Sequence, residues 1–484
     1  MIDEKRLAVV NDLLRLPAET AWAEFKQNVS EPSVIGKRIS ALANSARLAE
    51  RENAYMVWGV RDSDHAVVGT NFRPDAKKVS RQPLEFWLAR RVKPDLAFTF
   101  YEVAHPDGRV VVLEIPAATV APIEFDKIAY VRIGSATPQL SAHPARMREL
   151  WAKMQPYVWE HGVALQFQTS DEVLSLLDYP GYFDLMQQPL PNNKDGILGR
   201  LKAEKLIAPD ADGHWNITNL GAILFAKDLA RINSRLARKQ ARFVAYYGDS
   251  RTSQVTSRMD ETAGYAIGFQ RLIDMIVTLL PHNEHIGSAL RTQTQAFPGA
   301  AIRELVANAL IHQDFTITGT GPLIELFPSR FEVTNPGTPL ISVERFIDFP
   351  PRSRNEALAS LMRRMGVCEE QGIGIDKVVE SIEHFQLPPP DFRAEQQATR
   401  VVLFASRPFA EMTRDERIRA CYQHTVLLYV NGKVMRNASL RERLGIESRN
   451  SAQASQIIRA ALDRGLIRPA DAGHPKSGYV PAWA

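Results

Sequence analysis

Apolar and polar positions change their period several times along the chain, and the changes mark its organisation. Helical spacing runs through Leu16, gives way to the short alternation Glu24-Phe25-Lys26, and returns over Gly36–Leu48. Three β-rich runs follow, Tyr55–Val60, Val110–Ile115 and Tyr130–Ile133, so residues 1–145 are predicted to form one α+β domain. Residues 146–242 read as a connector of short helices with a hairpin signal at Pro209–Gly213, ending in a basic helix around Ala230–Ala241. A third unit, 243–410, opens with the strand Phe243–Gly248. It continues with helices near Gly264–Leu280 and Ala300–His312, the strand pair Leu323–Phe327 and Arg330–Thr334, and a closing strand Arg400–Phe404. The last unit, 411–484, places helices near Arg414–Val430, Ser439–Leu444 and Ala452–Gly465 before a turn-rich tail, the plan of a winged helix-turn-helix.

Composition narrows the class. The 484 residues are 45% hydrophobic, enough for several ordinary cores, and no apolar run approaches the ~18 residues of a membrane span. The opening Met1-Ile-Asp-Glu-Lys-Arg lacks a secretory apolar core, so a cytoplasmic protein without membrane contact is expected. Two distant cysteines, Cys368 and Cys421, exclude a disulfide scaffold and point any metal to oxygen ligands. The formal charge of +4 is uneven: residues 411–484 carry twelve basic and seven acidic side chains, which leaves the rest of the chain near neutrality. A solvated surface accounts for that excess about as well as nucleic acid does.

In the first domain, Glu24 and Lys26 fall on one face of their strand and Phe25 on the other. Glu19 lies five residues earlier and Asp62 follows an apolar strand. Three carboxylates and a lysine on adjoining strands could hold Mg2+ or Mn2+ and set a water against a phosphodiester. The alternative is structural: Glu19 caps a turn, Glu24 pairs with Lys26, and Asp62 starts a turn. The residues Glu19-Thr-Ala-Trp-Ala-Glu24-Phe-Lys26, Ile39–Asn44, Gly59–Asp62 and Tyr130–Ser135, in that order, resemble the Schlafen AlbA_2 domain over about residues 10–145. That resemblance implies nucleic-acid binding, and metal-dependent cleavage by Glu19, Glu24 and Asp62, with Lys26 beside them and Arg132 at the nucleic acid. The chain departs from the family after Asn44, where a charged turn, Ser45–Asn53, replaces a short glycine-rich one.

In the predicted helix Ala301–His312, Ile302, Leu305, Val306 and Ala309 form one face and Glu304 and Asn308 share the other. A carboxylate beside an amide oxygen suits water activation at a magnesium nucleotide, although an amphipathic helix with a wet face has the same pattern. Together with His312-Gln-Asp-Phe, Asn335-Pro-Gly337 and Gly372-Ile-Gly374, the helix resembles a GHKL (Bergerat-like) ATP-binding α/β sandwich over about 243–406. By that resemblance Glu304 is the general base, Asn308 the magnesium ligand, Asn335 and Gly337 the adenine-side turn, and Gly372 and Gly374 a phosphate-facing loop. Asn335 stands where the wider superfamily has an aspartate. His312 is read as a structural hydrogen-bonding group rather than a phosphoacceptor.

In the last unit Arg449 and Arg459 lie on the predicted recognition helix and Lys476 in the wing, where they would meet DNA or RNA. The expectation for the whole is an α+β multidomain protein with a winged-helix-like connector, binding ATP and Mg2+ or Mn2+ and working as a homo-oligomer, the GHKL resemblance implying a dimer. Nucleotide would gate phosphodiester cleavage in a defence or stress effector. Two other classes remain open, an ATP-responsive transcription regulator without nuclease activity and a nucleotide-gated protein scaffold.

Overall fold

The computed structural model describes residues 2–16, 20–154, 158–286, 291–350, 352–368, 374–471, 473–474 and 477–484. Of the residues singled out above, Glu19, Gly372 and Lys476 lie outside that set. The fold is mixed α and β with several separate sheets. It divides into two compact units, Met1–Val158 with Pro209–Trp215, and Trp159–Ala208 with Asn216–Ala484. No helix among the described residues is long and apolar enough to cross a membrane.

The first unit is built on a four-stranded sheet. Strand β1 (Ala23–Lys26) pairs in parallel with β2 (Asn53–Trp58), and β3 (Thr99–His105) and β4 (Gly108–Pro116) complete the order β1-β2-β4-β3 with antiparallel neighbours. Strand alternation decides what each face carries. Phe25, Val57, Val103 and Val112 meet Val10 and Leu13 of helix α1 (Ile2–Leu14) on one side. Met56, Trp58, Val111 and Leu113 meet Ile35, Ile39 and Leu42 of helix α2 (Pro32–Leu48) on the other. Helix α2 also pins a distant segment through its polar positions. Asn44 donates to the carbonyls of Ile123 (2.9 Å) and Tyr130 (2.8 Å) and accepts from the Ile123 amide, while Ser40 and Ser45 accept from the amides of Tyr130 and Arg132. A side chain at Gly36 would overlap the Phe125 ring, so glycine there permits the close approach.

The second unit centres on a six-stranded sheet of order β6-β5-β7-β8-β10-β9. Its strands are β5 (Ala241–Tyr246), β6 (Val255–Glu261), β7 (Leu323–Phe327), β8 (Arg330–Pro336), β9 (Asp391–Glu395) and β10 (Ala398–Phe404). Only β5 and β7 run parallel. Helices α3 (Tyr265–Thr278) and α4 (Gly299–His312) layer against it and α6 (Gly374–His384) packs on α4, with α5 (Glu356–Arg364) between α4 and α6 in sequence. Three C-terminal helices, α7 (Arg414–Val430), α8 (Asn437–Leu444) and α9 (Ser451–Asp463), precede the hairpin β11 (Ile467–Pro469) and β12 (Tyr479–Pro481). Their apolar faces share one core with Ile347 and with Val379 of α6.

One expected element differs. The basic helix near 230–241 is two short helices, Leu229–Ile232 and Ser234–Ala237, because Asn233 is extended and its side chain caps the second through the Leu236 amide. Lys239, expected on a cationic face, is 4% exposed and donates to the Ile317 carbonyl at 2.6 Å. Burial lowers its pKa to about 8.

Candidate functional site

In the second unit a cavity of about 700 Å3 lies along α4. Glu304, Asn308 and His312 are spaced four residues apart, so they stack along one side of the helix and all three line the cavity. Leu305 and Ala309 also reach it, while Ile302 and Val306 are fully buried. Asn308 donates to Glu304 Oε1 at 3.0 Å, which leaves its own carbonyl oxygen as an acceptor. Gly374 opens α6 against this pair, and a side chain there would overlap the Glu304 carboxylate. Glycine at 374 is therefore what lets α6 close onto α4.

At the other end of α4 the chemistry changes sign. Asn355, 3% exposed, donates to the carbonyls of Ile311 (2.7 Å) and Gln313 (2.8 Å) and so ties the start of α5 to the end of α4. Glu160 reinforces that helix start by accepting from the amides of Leu358 (2.5 Å) and Ala357 (3.3 Å). The result sets Arg352, Arg354 and Arg363 in the cavity wall, the last two close enough to act on His312. Burial first, then the Arg354 and Arg363 guanidiniums, hold His312 down to about 4, so it is neutral at ordinary pH. Arg354 donates Nη2 to the Thr338 carbonyl at 2.7 Å. Its Nη1 is buried without a hydrogen-bond partner, 3.9 Å from Asp314. Gly337, at φ 103°, makes room for that guanidinium. Asn335 is 7% exposed and also lines the cavity, and Thr399 donates to the Gly337 carbonyl at 2.8 Å.

The remaining wall is apolar. Leu340, Ile341, Phe346 and Phe349 line it from the loop after β8, and Ile375 from α6. Both pieces are anchored in the C-terminal helices. Tyr422 donates to the Glu344 carbonyl at 2.9 Å, Trp483 donates to Tyr422 Oη at 3.1 Å, and the Arg345 guanidinium lies 4.0 Å over the Trp483 ring. On α6, Glu383 pairs with His424 at 2.9 Å and Arg443 at 3.3 Å.

The cavity fits a nucleotide with a divalent ion. It has the volume of a small-molecule site, an orphaned guanidinium nitrogen to meet an anion, and oxygen donors on Glu304 and Asn308 of the kind Mg2+ takes.

In the first unit, Glu24 is fully buried and Arg132 is 1% exposed. Arg132 Nη1 lies 2.7 Å from Glu24 Oε2, while Arg38 Nε and Lys26 Nζ lie 3.2 and 3.3 Å from Oε1. Lys26 reaches on to Asp62 at 3.6 Å. The structure thus brings Glu24, Lys26 and Asp62 together and adds Arg38 and Arg132, which sequence spacing does not connect. Arg132 is turned inward onto Glu24 instead of lying at a nucleic-acid surface. With three cations on its two oxygens, Glu24 does not fit a divalent ion, and among the described residues no three His, Cys, Asp or Glu side chains form a metal site.

Arg449 and Arg459 are both exposed, the first paired with Glu447. Arg449 sits in the turn Ser448–Asn450, just ahead of α9, and Arg459 on the exposed side of that helix. Sequence reasoning missed Arg352, Arg354 and Arg363, whose only signal was the pairing of the first two just before Asn355.

Comparison with known families finds two matches. Residues 19–141 match Schlafen, AlbA_2, and residues 319–403 match HATPase_c_4, described as "Putative ATP-dependent DNA helicase recG C-terminal". No curated protein matches significantly. The crystal structure of the DIP2311 protein from Corynebacterium diphtheriae aligns over 95% of this chain and 93% of its own. Its 17% identity and TM-score of 0.42 are too distant to bear on the fold.

Proposed function

From the premise that the chain joins an AlbA_2 domain to an ATPase-like domain, we propose that it is a nucleotide-responsive nucleic-acid-binding protein. The observation that carries this reading is the cavity lined by Glu304 and Asn308. Nucleotide enters there, with Mg2+ held by Asn308 and Glu304, and Glu304 is placed to accept a proton from water if the phosphoanhydride is cleaved. Two cavity walls, the 340–349 loop and α6, are packed into the core of the C-terminal helices. A ligand that shifts either wall therefore changes the setting of those helices, which act as a winged helix-turn-helix with α9, Arg449 and Arg459 toward nucleic acid.

The first unit supplies a second nucleic-acid contact. The arrangement of Glu24 favours a binding over a cleaving role, since its carboxylate is already the counter-ion of Arg132, Arg38 and Lys26. Cleavage is kept as a second reading because Lys26 bridges Glu24 to the exposed Asp62.

The test is fluorescence anisotropy with labelled tRNA, single-stranded RNA and duplex DNA, each with Mg2+ or Mn2+ and with or without ATP. Salt-dependent binding that ATP alters by about 5- to 150-fold, and that Asn308→Ala makes indifferent to ATP, is the expected result. Shortened nucleic acid in the wild type but not in Asp62→Asn would favour the cleaving reading. Binding of none of the three would remove the proposal.

A further inference from the structure

Residues 73–93 of the first unit carry seven basic and two acidic side chains, a net of +5, while the whole chain stands at only +4. One segment thus holds more than the entire charge excess of the protein, and its local fold keeps that charge together. The Lys77 amide bonds to the Arg73 carbonyl at 3.1 Å, and a two-strand hairpin pairs Lys78 with Pro83 and Val79 with Gln82. The helix Leu84–Ala89 then starts on the Lys77 carbonyl, which accepts from the Leu84 amide at 2.9 Å. Leu84 and Leu88 are fully buried in the core shared with α2, so this helix turns Phe86 and Arg90, four residues apart, outward.

Most of these cations are uncommitted. Among the described residues the segment's ion pairs are Arg91 with Asp126, at 3.3 Å, and Lys93 with Asp95. Arg73, Lys77, Lys78 and Arg81 form none, and the Arg90 guanidinium lies 5.9 Å over the Phe86 ring. Glu102, whose charge Arg73 feels, is already held by two nitrogens of Arg109. The hairpin tip adds a second observation: Ser80 and Arg81 stand at φ 47° and 67°, the left-handed pair that a two-residue loop demands and that Asn-Gly ordinarily fills. Arg81 is therefore presented, exposed, at a strain that glycine would avoid. Beside these cations Phe86 is 54% exposed. A bare ring among unpaired cations fits one ligand chemistry, phosphates for the cations and an unstacked base for the ring. A duplex offers the phosphates but keeps its base faces stacked inside.

We propose that the hairpin at 78–83 and the helix Leu84–Ala89 form a surface for single-stranded nucleic acid, with Arg73, Lys78, Arg81 and Arg90 on phosphates and Phe86 stacked on a base. This rests on the nucleic-acid-binding reading above and names the surface and the strand state. The contact is indifferent to sequence, since every base has a ring face, and it needs no divalent ion.

Fluorescence anisotropy of the full chain with labelled oligo(rU), oligo(dT) and duplex DNA, over a salt series in EDTA, tests this, in the wild type and in an Arg449→Ala/Arg459→Ala background that removes the C-terminal contact. Oligo(rU) against oligo(dT) separates RNA from DNA as the source of the strand. Each phosphate contact contributes about 0.7 to the slope of log affinity against log salt, so four give about −3 on single strands. Arg81→Gly should lower single-strand affinity about fivefold and flatten the slope by about 0.7, with no loss of melting temperature, because glycine suits the tip. Phe86→Ala should lower single-strand affinity about tenfold at unchanged slope and leave duplex binding alone, and Phe86→Trp should restore it. Single strands bound with affinity and slope untouched by Arg81→Gly and Phe86→Ala would overturn the surface while leaving nucleic-acid binding intact. Duplex binding weakened by Phe86→Ala as much as single-strand binding would overturn the strand state. Phosphatidylserine vesicles bound by the wild type but not by Arg81→Gly, with nucleic-acid affinity unchanged, would reassign the patch to a membrane surface. No binding of any of the three nucleic acids would overturn both readings.

Discussion

Replacing Glu24 by alanine should cost stability before it tests any chemistry. The carboxylate is fully buried and Arg132, 1% exposed, lies on it at 2.7 Å. Removing one partner of a buried pair strands the other charge in a low-dielectric site, which costs about 3–5 kcal/mol. Arg38 and Lys26 are 19% and 20% exposed and can turn partly to water, so they add little. For a unit of this size each kcal/mol moves the melting temperature by roughly 2–4 °C, giving a drop of roughly 6–20 °C. The assay is thermal unfolding followed by near-ultraviolet circular dichroism, with hydrogen exchange on peptides from 20–60 to assign the loss to the first unit. The double variant Glu24→Leu/Arg132→Met, which removes both charges and keeps bulk, should recover most of it. A single variant that melts within about 2 °C of wild type, or a double variant no better than the single, would refute the reasoning. If it holds, lost nucleic-acid activity in Glu24→Ala says nothing about catalysis. Asp62→Asn, on a side chain 60% exposed, is the cleaner probe.

Other outcomes follow from the second unit. Gly374→Ala should weaken nucleotide binding about tenfold or more in calorimetry, because the added methyl overlaps Glu304. Burial first, then Asp348 and Glu380, raises Asp376 to about 6, so its charged form opposes folding as pH rises from about 4 to 6. His312 works the other way, since its pKa of about 4 makes the unfolded chain bind the extra proton and stability fall as pH drops below about 6.5. Asp376→Asn should therefore gain melting temperature over wild type as pH rises through that window, and an offset that does not change with pH would count against the assignment. Trp483→Ala should raise hydrogen exchange in peptides from 340–349 by about tenfold, having removed the contacts that hold Arg345 and Tyr422.

The elements that carry chemistry were legible where local pattern suffices. The alternation of Glu24, Phe25 and Lys26 placed Phe25 in a core and Glu24 opposite it, and the spacing of Glu304 and Asn308 put both on the cavity side of α4. What the pattern could not give is long-range pairing. Arg132 meets Glu24 only because Ser40, Asn44 and Ser45 hold a segment some eighty to ninety residues away. The Arg231–Arg242 stretch looked like one cationic helix because charge spacing ignores caps. Asn233 breaks it, and Lys239 turns inward to a carbonyl. Arg354 and Arg363 joined the site through Asn355, a buried amide whose role depends on partners the local sequence does not reveal.

The C-terminal helices share their core with Ile347 and Val379 and hold Glu383 between His424 and Arg443. That makes residue 410 a boundary in sequence but not in cohesion. A fragment 411–484 would carry away an uncovered apolar face and leave His424 and Arg443 without the Glu383 carboxylate, and the remainder would lose the backing of α6. Swapping this segment between proteins should therefore succeed only when α6 and the loop around Ile347 travel with it, so that the smallest portable piece begins inside the sequence of the ATPase-like domain.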